Sequence, residues 1–400
     1  MRVGKKYFVP ALIATAAIAL AGCAPTVDTG SSTGSGSDEL APVDISIITS
    51  QTGPLAAYGE AYLAGFDAGL DYATDGTGTV DGRELNIEIT DDAGDADKAV
   101  TAAKDVIGQG KKIIIGTVSS GIALALAEQA EQNKVLYISG PAAADAITGV
   151  NGYTFRSGRQ SYQDVATAGT FIGDPAGKSV LVFGQDTAFG QGNVAAATAV
   201  LGGQGATVTS LLVPEDATEF TPFAQQIVDA QPDLVFVAWA GATSGAMWEA
   251  LSQQGVFDSV PVATGLGDIS TYGAYGPASD KISFLNHYFG GATDNDANTA
   301  MVSFLEAEGK QADLFSPDGF VAAQMVVQAV REGGDDVDAM IAALEGWTFD
   351  SVKGSITVRA EDHAMIQPMF QVTLVADGAS WAPSLITAVD ADAVTPPTAE

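Results

Sequence analysis

Between residues 45 and 264, short apolar runs alternate with segments of helical spacing, and this alternation constrains the fold more than any other feature. Ile45-Ser46-Ile47-Ile48 reads as a strand, and Leu85-Asn86-Ile87-Glu88-Ile89 alternates as a strand with one wet face does. Val100, Ala103, Lys104 and Ile107 predict a helix over 97–108, with acidic residues at its start, where the helix dipole favours them. Ile113-Ile114-Ile115 is a continuous apolar run, as in a parallel strand covered on both faces. Helices follow over 122–132, 160–173, 191–201, 219–230 and 243–254, with strands over 134–139, 179–184, 207–213, 233–239 and 260–264 between them. Such a ladder predicts an α/β fold with parallel sheets. It is long for one open sheet, and Gly149-Val150-Asn151-Gly152 interrupts it, so two doubly wound lobes are expected, with a break near 153. After about 276 the pattern loosens into helices over 297–309, 317–333 and 336–345 and strands over 354–358 and 369–375.

Charge narrows the partners. The 400 residues carry 17 Lys and Arg against 49 Asp and Glu, a formal net charge of −32. That surface repels nucleic acid and anionic lipid, so the folded part is expected to bind neither. The N-terminus reads as an export signal: Arg2, Lys5 and Lys6 precede an apolar run, Tyr7 to Leu20, too short to span a bilayer. Leu20-Ala21-Gly22-Cys23 looks like the lipobox of bacterial lipoproteins. Residues 1–22 would then be the signal peptide, and Cys23, the only cysteine, the lipidated new N-terminus. Residues 23–42, rich in Gly, Ser and Thr, are expected to form a flexible tether, and 389–400 a disordered tail.

Motifs for chemistry are weak. Ser119-Ser120-Gly121 sits where a strand ends and a helix begins, but neither serine has the G-x-S-x-G flanks of a hydrolase nucleophile. The two histidines, His287 and His363, lie in unrelated contexts, and with one cysteine they offer no zinc set, so no metal or cofactor is expected. Asp91, Asp92, Asp95 and Asp97 lack the central Gly and final Glu of a calcium loop, and helix capping explains them more simply. Gly190-Gln191-Gly192-Asn193-Val194-Ala195 matches a dinucleotide pattern, yet Gln185 to Phe189 separate it from the strand end. Binding remains. In open α/β sheets ligands sit at the carboxyl ends of strands, near helix N-termini with free N–H groups. Ser119-Ser120-Gly121 and the small-residue loop Ser139-Gly140-Pro141-Ala142-Ala143 both lie at such ends. Ser119 is either a ligand contact or only a helix cap.

The order and spacing of several landmarks carry a resemblance. They are Ser50 to Gly59 (SQTGPLAAYG), Asp91-Asp92, the serine loop, ISGPAAADAIT (138–148), FRSGRQSYQD (155–164) and GQDTAFGQG (184–192). Together they resemble the substrate-binding lipoproteins of branched-chain amino acid-type ABC transporters, the leucine/isoleucine/valine-binding protein family. The resemblance implies two lobes joined by a three-crossing hinge, closing like a clamshell on a ligand in the cleft between them. Lobe 1 would comprise 43–153 and 276–362, and lobe 2 154–275 and 363–388. Tyr58 would form one wall. Ser120 would hold the ligand's polar head, helped by Gly121 and the backbone of Pro141, Ala142 and Ala143. Phe189, Trp239, Ala240 and Asp268 would complete the site from the second lobe, and Arg159 is a candidate carboxylate partner.

Ala143 stands where amino-acid binders present a hydroxyl, and Phe189 where a Tyr is common. The expected ligand is therefore a small polar solute, an amino acid, amide or aromatic acid derivative, with leucine itself disfavoured. The resemblance further implies a monomeric, non-enzymatic protein on the outer face of the cell membrane, anchored in the bilayer by acylated Cys23 and delivering solute to permease subunits. An extracellular sensor on the same fold, or an exported hydrolase, is the alternative.

Overall fold

The computed structural model describes residues 40–399; the expected signal peptide, Cys23 and most of the tether lie outside the described residues. The first lobe is a six-stranded sheet of β1 (Val43–Thr49), β2 (Thr79–Val80), β3 (Arg83–Asp91), β4 (Ile113–Ile115), β5 (Leu136–Ser139) and β6 (Thr154–Arg156). Their order is β2-β3-β1-β4-β5-β6, parallel except for β2 on β3. The isoleucines of β4 are buried because helices cover both faces of the sheet. Of these, α1 (Ala56–Ala73) lies on one face, and α2 (Ala96–Gly108) and α3 (Ser120–Asn133) on the other.

The second lobe has five parallel strands, β7 (Ser179–Gln185), β8 (Thr207–Val213), β9 (Leu234–Ala238), β10 (Val262–Gly265) and β11 (Ile282–Asn286). Helices α4 (Ser161–Ile172) and α5 (Ala188–Val200) pack on one face. On the other lie α6 (Thr221–Ala230), α7 (Ser244–Gln253), α8 (Val256–Ser259) and α9 (Tyr272–Tyr275). The chain then returns to the first lobe with α10 (Asp296–Ala307), α11 (Ser316–Gly333) and α12 (Val337–Leu344). A small antiparallel sheet of β12 (Thr348–Ser351), β13 (Gly354–Val358) and β14 (Met365–Ile366) follows. A last crossing adds the hairpin β15 (Met369–Asp377) and β16 (Ser380–Val389) to the second sheet, giving the order β16-β15-β11-β10-β9-β7-β8.

Three segments thus join the lobes, near 157–160, 287–295 and 367–368. The expected boundaries shift accordingly. Strand β6 pairs with β5, which moves the first crossing from 153 to beyond Arg156. Strand β11 pairs with β10, so 276–286 belongs to the second lobe rather than the first. Strand β14 pairs with β13, so 363–366 stays with the first lobe.

Two further differences have clear causes. Helix α1 had no predicted counterpart because Gly59, Gly65 and Gly69 dilute its apolar pattern. A Cβ at Gly65 would stand 1.8 Å from the Ser316 carbonyl oxygen, so the glycine is what allows α1 and α11 to meet backbone to backbone. The expected disordered tail is packed through residue 399. Val394 is 1% exposed in the second-lobe core, Arg359 donates to the Pro396 and Pro397 carbonyls, and the Ala399 N–H donates to Asp362.

Candidate functional site

The acidic cluster at the end of β3 builds the first wall of a cleft. Asp92 is buried and accepts from Ser50 Oγ at 2.6 Å, Thr117 Oγ1 at 2.5 Å and the Gly94 N–H at 2.8 Å. Asp91 accepts from Thr52 Oγ1 and from the Gln51 and Thr52 N–H groups, and these bonds, the Thr52 hydroxyl first, bring its carboxyl down to about 2. Only Asp95 is a helix cap, accepting from the Asp97 and Lys98 N–H groups. The loop fixed in this way carries Pro54, Leu55 and Tyr58 into a cavity of about 420 Å³ lined by both lobes.

Opposite that wall the two serines divide their work. Ser120 is 4% exposed, and its Oγ accepts from the N–H groups of Ala143 and Ala144, both at 3.2 Å. It therefore ties α3 to the small-residue loop and has only its own O–H left to offer a ligand. Ser119 stands at the N-cap of α3 without making a side-chain capping bond. Its hydroxyl lines the cleft beside the first turn of the helix, whose leading N–H groups have no intrahelical acceptor. Neither serine oxygen is bonded to an imidazole among the described residues.

The other expected residues distribute unevenly. Tyr58, Gly121, Pro141, Ala143, Arg159, Phe189, Trp239 and Ala240 all line the cavity. Ala142 does not: at 1% exposure it packs into the first-lobe core beside Ile122. Asp268 lines a smaller adjoining cavity with Gly53, Pro54 and Gly241, and its Oδ1 accepts from the Ser270 N–H at 3.0 Å and from the Ser270 hydroxyl. Arg159 donates to the Pro141 carbonyl at 2.9 Å, stands 3.2 Å from Asp164 Oδ2 and lies 5.6 Å from the Phe315 ring centre. Its charge already has a carboxylate partner. Arg156 is wholly buried and donates to Thr148 Oγ1 and to the Arg159 and Ala144 carbonyls. The dinucleotide-like glycines lie inside α5, where Gly190 lets the helix abut the Gln185 carbonyl, which leaves no loop to cradle a phosphate.

Aromatic rings supply most of the apolar wall. Tyr58 meets Phe315 edge-on at 4.7 Å, and Trp239 is held by Phe183, Phe220 and a bond from its indole N–H to Thr243 Oγ1 at 3.0 Å. Burial pushes the Tyr58 phenol up, so it is neutral; its oxygen accepts from the Gly241 N–H at 3.2 Å across the mouth of the cleft. The Ala242 N–H donates to the Pro54 carbonyl at 3.1 Å, and the Ile269 N–H to both Asp313 oxygens. The lobes are therefore closed on one another.

Asp164, Asn286, His287 and Phe315 also line the cavity and were not expected. The last three come from the loosely patterned region after 276 and gather only because crossings and helix starts converge there. His287 lies in an apolar stretch, and no spacing rule links it to Arg159.

A profile of the periplasmic binding protein family matches residues 42–379. A Leu/Ile/Val-binding protein homologue of Brucella melitensis is 24% identical over 352 residues, covering 86% of this chain and 94% of the relative. An ABC-type branched-chain amino acid transporter structure from Rhodopseudomonas palustris is 33% identical, with a TM-score of 0.75 over 89% of this chain and 99% of the other. A solute-binding protein of an ABC transporter from the same species, solved with 4-hydroxybenzoate, is 20% identical, with a TM-score of 0.80 over 87% of this chain and 97% of the other. A closed interlobe cleft on two parallel sheets, with a family profile spanning both, leads to one conclusion: the chain belongs to the periplasmic binding protein family.

Proposed function

We propose that this protein is the extracytoplasmic receptor of an ABC importer and that its solute is a small organic acid with an aromatic or apolar body. Binding, not turnover, is its task. The observation that carries the reading is the division of the cleft. One end offers the Ser119 hydroxyl, the Ser120 O–H and the first N–H groups of α3, an arrangement that favours a carboxylate. The body of the cleft is lined by Tyr58, Phe189, Trp239 and Phe315.

An amino acid would also need a carboxylate for its ammonium group. In the cleft Asp164 is committed to Arg159, Glu215 is exposed, and Asp268 faces the adjoining cavity. Organic acids therefore rank above leucine, and the 4-hydroxybenzoate carried by a structural relative accords with that order. Lipidation at Cys23 and a tether through residue 42 would hold the receptor beside its permease. A thermal-shift screen of aliphatic amino acids, amides and aromatic carboxylates tests the assignment, because a ligand of the native state raises the melting point. Aromatic carboxylates should give the largest shifts; a shift with leucine alone would overturn the ligand class.

A further inference from the structure

The end of the cleft nearest the hinge is polar in a way that the carboxylate-binding end does not explain. Asn286 ends β11, is 1% exposed and lines the cavity, yet neither its Oδ1 nor its Nδ2 has a hydrogen-bond partner among the described residues. His287, the next residue, is 3% exposed and also lines the cavity, although its Nε2 is turned toward the buried Asp318 carboxylate, 3.9 Å away. Asp164 Oδ1 is a fourth unpartnered atom, on a residue that lines the same cavity. Buried polar atoms without partners are rare in folded proteins and costly to leave unmet, so a group this size calls for an occupant.

The chemistry of the occupant follows from the donors and acceptors present. His287 Nε2 faces the buried Asp318 carboxylate at 3.9 Å, too far for a hydrogen bond. Burial, with Arg159 and Lys353 nearby, holds the imidazole well below its ordinary range, so it is neutral. A neutral imidazole offers one N–H and one bare nitrogen. Between Asn286 and Asp164, both Oδ1 atoms are acceptors and Asn286 Nδ2 is the one donor. Acceptors predominate. Full charge is poorly suited here, since Arg159 and Asp164 already neutralise each other at 3.2 Å.

We infer that the hinge end of the cleft is a second recognition subsite, in which Asn286, with Asp164 beside it, reads a neutral, hydrogen-donating group on the solute, a hydroxyl or a primary carboxamide. The inference rests on the proposed reading of the cleft as an organic-acid site and adds the group at the far end of that acid. A solute that can only accept a hydrogen bond would leave the acceptors unmet, and a site built around a hydroxyl discriminates strongly against analogues without one.

Calorimetric titration of the full folded chain with benzoate, its 3- and 4-hydroxy derivatives and the matching methoxy derivatives tests this. The methoxy group accepts but cannot donate. At least one hydroxybenzoate should bind tenfold or more tighter than benzoate, its methoxy counterpart should lose that gain, and Asn286→Leu should bring the hydroxy-to-benzoate ratio close to one. Circular dichroism and the melting point establish that the variant is folded, and Asn286→Ala gives a second reading of the same ratio. Equal binding of benzoate and both hydroxybenzoates overturns the subsite alone and leaves the atoms to captive water. Failure of every probe to bind overturns the organic-acid reading and the subsite with it.

Discussion

Removing the Ser120 hydroxyl separates its two roles, and Ser119 is the internal control. In Ser120→Ala the N–H groups of Ala143 and Ala144 lose their shared acceptor. These residues are 2% and 3% exposed. An orphaned buried donor costs about 1–3 kcal/mol. Ala143 borders the cleft and water can partly replace its bond, whereas Ala144 does not line it. A net destabilisation of about 2–4 kcal/mol is therefore expected from the two donors together. Ser119→Ala breaks no hydrogen bond made in this structure and should stay within about 0.5 kcal/mol of the parent. Urea unfolding followed by tryptophan fluorescence reads both, as a shift in midpoint at constant slope. Both variants should bind the solute more weakly, Ser119→Ala through a lost contact and Ser120→Ala also through a displaced 141–144 loop. If Ser120→Ala unfolds at the parent midpoint, or if the two serine variants lose equal stability, the tie between α3 and the small-residue loop does not act as described.

Two other buried features give sharp expectations. Asp318 and Lys353 are both buried, with the carboxylate oxygens and Nζ unpartnered among the described residues. Burial raises the Asp318 carboxyl above its ordinary range and lowers the Lys353 ammonium below its own. Each single variant, Asp318→Asn or Lys353→Met, strands the other charge and should cost about 3 kcal/mol, while the double variant should cost clearly less than the sum; additive losses in a double-mutant cycle would refute the coupling. At the mouth, Asp313 accepts the Ile269 N–H, and burial raises its carboxyl to about 6 in the closed form. Closure therefore takes up a proton. Its contribution is complete below the ordinary carboxylate range near 4 and is lost as pH rises through about 6. Solute affinity measured from pH 5 to 8 should carry this dependence in the parent and show less of it in Asp313→Asn; identical profiles would show that the latch does not titrate.

Periodicity made the parallel strands legible because helices bury both of their faces. Residues 207–213 and 113–115 are strands at the limits their apolar runs suggest. It failed where a glycine replaces a side chain for close packing, as in α1, and where strand β11 follows a turn-rich stretch and completes a sheet begun a hundred residues earlier. The first-lobe half of the site was readable because Ser119, Ser120 and Pro141 to Ala143 stand at strand ends, where α/β sheets bind ligands. Asn286, His287 and Phe315 were not readable. Their meeting with Arg159 depends on how three crossings converge, a tertiary fact with no local spacing. Ala142 shows the opposite error: a loop pattern marks the loop, but not which of its side chains turns inward.

On the proposed reading one small acid is held by both lobes at once, its carboxylate at the start of α3 and its body among Tyr58, Phe189, Trp239 and Phe315. A crystal structure with the aromatic carboxylate that gives the largest thermal shift tests it most directly. Ligand density is expected in the closed cleft, with carboxylate oxygens within hydrogen-bonding distance of Ser119 Oγ and the leading N–H groups of α3. Density in the adjoining cavity beside Asp268, or on one lobe alone, would contradict it.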